Sequence, residues 1–377
     1  MPLKKNAADR RRPSSHRAAG PNHPITGAHK LRSSRVLVTG GAGFIGRWLV
    51  NTLSTLGAEV TVIDDLSTSP DFGSLRTIKN VRVLRDSVLN PQLLRGQTTQ
   101  FDLVFHLAGI VGMRLAHQQA FQAHRVAEEG TLNIVRATGQ TPIVFFSSSS
   151  VYGLSQKATM SEETPILAEE IQQYDAATFG YASGKAALEG IARKTARTGR
   201  SCLVVRPFNV VGAGQSRHYG MVLPRFLHAA ALGAPLRVYD DGLQTRSFSC
   251  VQRFIDYLLT LCCSPEAFAS SHPVYNLGNP NATSVLDLAR SVLQETHSKS
   301  IIQFVPYSDD FPDRKDVRQR KPSLARLEKI IGATHWPSID EIVQSIVQQR
   351  DPDQRPFSST SATKYNDLRA LGTQISG

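Results

Sequence analysis

Short apolar runs rich in β-branched residues recur through the first half of the chain, and helical spacing follows several of them. Val36–Thr39, Ala58–Asp65, Val81–Asp86, Phe101–Gly109 and Pro142–Phe146 read as strands. After the first, Phe44, Ile45, Trp48, Leu49 and Leu53 recur three and four apart, and a second helix is expected through roughly 115–138. Strands that are apolar almost throughout are buried on both faces. Their alternation with helices through short turns predicts an α/β fold with a doubly wound parallel sheet. With 377 residues the chain can bury a large core and carry a second, smaller α/β lobe.

The first strand runs into Gly40, Gly43 and Gly46 in the sequence VLVTGGAGFIG. A glycine turn between a buried strand and a helix N-terminus suits a dinucleotide diphosphate. Side chains at Gly40 and Gly43 would block backbone approach, Gly46 lets helix and strand lie close, and the first helical N–H groups at Phe44 and Ile45 face the anion. Asp64 closes the second strand, where a carboxylate can accept the adenosine ribose hydroxyls. No Lys or Arg occurs at 65–68, so NAD is expected over NADP. The expected division is therefore a Rossmann-type NAD domain over 34–207, completed by about 236–265. A substrate-binding lobe takes 208–235 and 266–350, with a disordered basic tail at 1–33 and a flexible tail at 351–377.

The net charge of +12 changes this picture little. Residues 1–34 carry eight Lys or Arg against a single Asp, more than half of the total excess. That segment has no apolar period and reads as a solvated extension rather than a transit peptide. No nucleic-acid partner is expected. No apolar stretch approaches the length of a membrane span, Phe254–Cys263 being too short. Cys202, Cys250, Cys262 and Cys263 show no metal-ligand spacing and read as small hydrophobes of a reducing cytoplasm, so no metal is expected.

Two stretches carry candidate chemistry. Phe146 runs into Ser147-Ser-Ser-Ser-Val-Tyr-Gly153, which puts hydroxyls at the carboxyl end of a central strand. Tyr181 and Lys185 stand four apart on a predicted helix and share a face. A tyrosine with its free pKa of about 10 is a poor base, and a neighbouring ammonium would bring its phenolate into working range. His106, among apolar neighbours, reads as a packed strand residue.

In combination, residues 35–350 resemble the sugar-nucleotide epimerase/dehydratase family of the extended short-chain dehydrogenases/reductases, with UDP-glucose 4-epimerase as a near type. The likeness rests on TGGAGFIG (Thr39–Gly46), VIDD, FHLAG, SSSSVYG and YASGK. Further along it rests on RPFNVVGAG (Arg206–Gly214), GMVLPRF (Gly220–Phe226) and VYDDGLQTRSF (Val238–Phe248). The resemblance implies Tyr181 as catalytic base, Lys185 as its electrostatic partner and Ser148 as the catalytic hydroxyl. It adds Asp86, Leu107 and Ala108 to the cofactor residues, together with Tyr181 and Lys185. For a nucleotide-sugar substrate it implies Ser148 and Ser149 beside the sugar, Asn209 and Arg246 on the diphosphate, and Tyr239 on the base. One of Arg314, Arg318 and Arg320 would close over the diphosphate, and two helices per subunit would pack in a homodimer.

Four positions depart from the family pattern: Ala127 for Asn, Gly184 for Ser, Arg253 for Asp and Asp240 for Gly. Relatives that eliminate water carry Asp then Glu after the catalytic hydroxyl residue, and UDP-glucuronate decarboxylases carry Glu two before the tyrosine of V-Y-G. Ser149 and Ser150 stand there instead, so a 4-epimerase acting through a 4-keto sugar is expected. A decarboxylase or 4,6-dehydratase of the same family is the alternative. A non-catalytic NAD or nucleotide-sugar binding module is the alternative of another class.

Overall fold

The computed structural model describes residues 25–349, except 70, 96–99, 113, 114, 116, 117, 154, 156, 165, 167–175, 218, 219, 270–272 and 311–316, and except the side chains of 176–179. Most of both expected tails, at 1–24 and 350–377, lies outside the described residues, as does Arg314. In chain order the strands are β1 (Arg35–Thr39), β2 (Glu59–Asp64), β3 (Val81–Arg85), β4 (Leu103–His106), β5 (Ile143–Phe146), β6 (Cys202–Pro207) and β7 (Val210–Val211). They continue with β8 (Leu236–Tyr239), β9 (Thr245–Ser247), β10 (Ser249–Cys250), β11 (Val274–Leu277), β12 (Ala282–Ser284), β13 (Ile302–Val305) and β14 (Gln319–Arg320). The longer helices are α1 (Phe44–Thr55), α2 (Ala120–Ala137), α3 (Ala176–Arg197), α4 (Val222–Ala231), α5 (Val251–Cys262), α6 (Val285–Glu295) and α7 (Ile339–Gln348).

Seven strands form one parallel sheet in the order β11-β6-β5-β4-β1-β2-β3. The strand order reverses between β1 and β4, which opens the crevice where ligands of such sheets bind. Alternate residues of β1 serve opposite faces. Val36 and Val38 join a core with Leu49, Val50 and Leu53 of α1 and Phe254 and Leu258 of α5. Leu37 joins a second core with Ile134 of α2 and Leu188 and Ala192 of α3. Both faces are thus covered, as the apolar strands predicted.

A third core belongs to the smaller lobe: Leu223, Phe226 and Leu227 of α4, Leu236 and Val238 of β8, Leu288 and Val292 of α6, and Ile342, Val343 and Ile346 of α7. Here the expected boundaries shift. β8 pairs with β13, and β9 pairs with β12 and β14, so residues 236–247 go with the lobe rather than completing the cofactor sheet. β11, expected in the lobe, is the outer strand of the large sheet. Short, partly polar strands with no helix period between them carry too little pattern to say which sheet they join. The basic segment also begins to order earlier than expected. Ile25 and Leu31 are buried, and Lys30 Nζ donates to Cys263 O at 2.8 Å. Among the described residues no helix is long and apolar enough to cross a membrane.

Candidate active site

The glycine turn meets the end of β4 at the crevice. Gly40 has φ +71°, and a Cβ there would stand 2.7 Å from Ala108 N. A Cβ on Gly46 would stand 2.7 Å from Gly41 Cα, so the turn and the first helical turn are as close as glycine permits. α1 starts with Gly43 extended (φ −69°, ψ 173°) and directs the free N–H groups of its first turn, Phe44 to Gly46, into the crevice. A cradle that any side chain would fill, at a helix N-terminus, fits a dinucleotide diphosphate. Asp64 braces it, accepting from Ala42 N at 3.0 Å and Leu66 N at 2.9 Å. Burial raises its carboxyl pKa, against the pull of those two N–H groups. Asp86 lies at the end of β3 next to Asp64, its own N–H donating to Asp64 O at 3.3 Å. Its carboxylate closes its own turn through Ser87 N and Asn90 Nδ2.

Beneath this turn lies a buried polar chain. Ala108 N donates to Thr39 Oγ1, which lies 2.8 Å from His106 Nδ1; His106 Nε2 lies 3.1 Å from Thr131 Oγ1, which donates to Ala127 O. Because the Thr131 hydroxyl is spent on that carbonyl, His106 must donate from Nε2 and accept at Nδ1. Burial, with Lys185 nearby, pushes its pKa down to about 3, so the imidazole is neutral. His106 is the packed residue expected, and it pins the ends of β1 and β4 where the crevice opens.

Ser148, Tyr181 and Lys185 come together at the end of β5. Ser148 caps the short turn Ser149–Tyr152, accepting from Ser150 N at 3.1 Å, and its hydroxyl is near enough to the Tyr181 phenol to lower that group's pKa. Lys185 Nζ donates to Phe146 O at 2.8 Å and lies 6.0 Å from the centroid of the Tyr181 ring. A Cβ on Gly109 would come within 3.3 Å of that ammonium, so the small residues ending β4 leave room beside it. Burial lowers the Lys185 pKa to about 8. The phenol departs from the expectation that the lysine would depress it. Burial dominates and raises the Tyr181 pKa, with only the Ser148 hydroxyl opposing.

Sequence reasoning missed what holds this trio. Glu189 stands four residues beyond Lys185 on α3, fully buried, and binds Arg206 through two hydrogen bonds of 2.8 Å. The same carboxylate accepts from Ser147 Oγ at 2.6 Å, and Arg206 also donates to Tyr152 Oη at 2.8 Å. Tyr152 in turn donates to Asn276 Oδ1 of β11 at 2.6 Å. The spacing Tyr181, Lys185, Glu189 on one helical face was the available signal.

Of the residues expected on the nucleotide-sugar side, Tyr239 and Arg246 belong to strands of the smaller lobe, and Asn209 follows β6 of the large sheet. Asn209 is exposed with φ +30°, just before β7. Arg246 of β9 donates to Thr245 O and Val317 O. Tyr239 is half-buried, packs edge-on to Tyr307 at 5.4 Å and bonds Asp310 through its hydroxyl. The two described C-terminal arginines differ. Arg318 pairs outward with Asp241 through bonds of 3.0 and 2.9 Å. Arg320 is the register partner of Arg246 on the neighbouring strand and reaches Gly153 O at 2.6 Å. Ser149 is buried in the turn after Ser148, and Leu107 follows β4 with its N–H on Thr39 O. Among the described residues no group of three His, Cys, Asp or Glu could hold a metal.

Comparison with known proteins agrees with this geometry. The chain is 31% identical over 304 residues to the UDP-N-acetyl-alpha-D-glucosaminuronate decarboxylase of Bacillus cytotoxicus, covering 78% of this chain and 91% of the relative. An epimerase from the methanogen Methanothermobacter thermautotrophicus superposes with TM-score 0.76 at 23% identity, covering 86% of this chain and 94% of that one. A UDP-galactose 4-epimerase superposes with TM-score 0.66 at 27% identity, covering 84% and 99%. The sequence pattern of the NAD dependent epimerase/dehydratase family matches residues 36–278. A glycine cradle, a carboxylate at the end of the second strand and a Ser-Tyr-Lys trio on a seven-stranded parallel sheet therefore stand in a chain that belongs to the NAD-dependent epimerase/dehydratase family, with NAD as its cofactor.

Proposed function

We propose that the chain oxidises the 4-hydroxyl of a UDP-sugar to a transient 4-keto sugar and then reduces it again, releasing the 4-epimer. The observation that carries this reading is the convergence of three groups at the end of β5: the Ser148 hydroxyl, the Tyr181 phenol whose pKa it lowers, and the Lys185 ammonium 6.0 Å from the ring centroid. Bound NAD supplies the two-electron acceptor and then the donor. Tyr181 takes the proton from the 4-hydroxyl and later gives it back, and Ser148 stabilises the phenolate by donating to it. Asn209 and Arg246 hold the diphosphate, so binding energy sits away from the carbon that reacts.

A second reading is favoured by the 31% identity to a glucosaminuronate decarboxylase. In a 4-keto hexuronate the carboxylate is β to the ketone. The C5–C6 bond then breaks with its electron pair passing into the enolate, CO2 leaves, C5 is reprotonated, and the 4-ketone takes back the hydride removed at the start to give the UDP-pentose. No carboxylic acid is needed for that cleavage, so Ser149 and Ser150 argue against elimination of water more strongly than against loss of CO2. NMR of the products from UDP-glucose, UDP-N-acetylglucosamine and the two corresponding uronates separates the readings. A 4-epimer of any of the four, hexose or hexuronate, supports the first, and a UDP-pentose with released CO2 replaces it by the second. No conversion of any of the four, with NAD bound, supports the non-catalytic binding module.

The same reading expects a homodimer through α2 and α3. Phe121 of α2 is 80% exposed, an apolar ring of the kind that a partner would cover. Light scattering on the wild-type chain and on Phe121→Asp tests this, and a wild-type monomer would refute it.

A further inference from the structure

Two consecutive residues of α1 grip the loops on either side of the crevice. Arg47 donates to Ala42 O at 2.8 Å and Phe72 O at 2.9 Å and also reaches Asp71 O, which draws the segment after β2 onto the glycine turn. Trp48 turns the other way, and its Nε1 donates to Ala213 O at 3.1 Å. One turn earlier Phe44 meets the same stretch: a Cβ on Gly212 would stand 3.4 Å from Phe44 Cζ. The Asn209–Gly214 loop is held at its start by pairing of β7 with β10 and by Ser249 N donating to Asn209 O at 3.1 Å. Gln215 folds it back on itself through Val210 O at 3.1 Å. Its far end is tied to the helix through the Trp48 indole.

We propose that Trp48 is a positioning residue for the nucleotide-sugar, coupling the Asn209–Gly214 loop to the helix whose N-terminus takes the NAD diphosphate. The proposal rests on the reading that Asn209 meets the sugar nucleotide. Without the indole donor, the loop end loses its hold on α1, and binding must order it afresh. α1 itself keeps its packing against the sheet. The effect is therefore directed at one ligand. A single neutral hydrogen bond predicts a loss of roughly three- to tenfold.

Trp48→Phe in the full chain deletes the donor and keeps an aromatic ring against the loop. Three measurements test it: the Kd of UDP by calorimetry, the Kd of NAD, and hydrogen exchange over residues 207–215 with and without NAD. UDP should bind about three- to tenfold more weakly, NAD should change by less than about twofold, and the thermal midpoint should move by no more than ~2 °C. NAD should slow exchange at 207–215 in the wild type and not in W48F. Unchanged UDP affinity overturns the proposal. So do equal losses for UDP and NAD, which would make Trp48 a general prop of α1. If the wild type binds no UDP, the Asn209 reading falls separately. The exchange comparison then still decides the coupling, and an equal NAD effect in both proteins overturns it.

Discussion

Gly184 of α3 lies directly against Ala127 of α2: a methyl on Gly184 would stand 3.0 Å from Ala127 Cβ and 3.1 Å from His124 Cα. These are two of the positions where the sequence departs from the family pattern, which has Ser and Asn there. The departures face each other, and together they let α3 approach α2 closely. Ala127→Asn would drive an amide into that contact, and overpacking of this kind costs about 1–3 kcal/mol. Gly184→Ser should cost a similar amount. The double variant should be non-additive, because both changes strain one contact. Urea midpoints of the four proteins check this. A fully stable Ala127→Asn would show that the helix pair yields.

Tyr181→Phe should retain NAD and the fold while losing 10²–10⁴-fold in turnover, the range for a positioned proton-transfer group. Ser148→Ala should also lose turnover, and its pH profile should move to more alkaline values. Ser148 is the one group holding the phenol pKa down against burial. An unshifted profile in Ser148→Ala would mean that this hydroxyl serves the substrate alone.

Much of this site was legible in the sequence. Glycine spacing, a strand-end Asp64 and the Tyr181–Lys185 spacing are local signals, each set by residues within one turn or one helix face. The chain Thr39–His106–Thr131 and the Ser147–Glu189–Arg206–Tyr152–Asn276 network were not legible, because they join residues up to 124 positions apart across strand ends. Strand order decides such contacts, and no local period encodes it. The same applies to β8 and β9, whose four and three residues could pair with either sheet. The direction of the Tyr181 shift was missed for a related reason. Spacing shows that a lysine is near, but only packing shows how deeply both groups are buried.

Asp64→Ala should weaken NAD more than UDP, since the carboxylate braces the glycine turn through Ala42 and stands at the end of β2. Part of that loss would come from the turn itself. Asp64→Asn keeps an acceptor for Ala42 N and removes only the charge, so it should fall between wild type and Asp64→Ala. Equal losses for the two ligands would place Asp64 outside the ribose site.

A third departure, Arg253, sets up a pH dependence. Its Nη1 lies 3.9 Å from Asp256 Oδ2, and neither atom finds a hydrogen-bond partner among the described residues. Asp256 is 3% exposed, and burial pushes its pKa up to about 6, with Arg253 only partly opposing. An acid whose folded value lies above its ordinary 3.8 binds its proton more tightly in the folded chain. Its stabilising contribution is complete below about pH 3.8 and is lost as pH rises through about 6, a swing of roughly 2–3 kcal/mol. Other carboxyls titrate in the opposite sense; Asp102 and Asp241 are both held low by arginines. The informative quantity is therefore the difference between Asp256→Asn and wild type. The variant's advantage should be small at pH 4.5 and larger by roughly 2 kcal/mol at pH 7.5, read from urea midpoints. A difference that stays constant across that range would show that Asp256 keeps the same protonation state folded and unfolded.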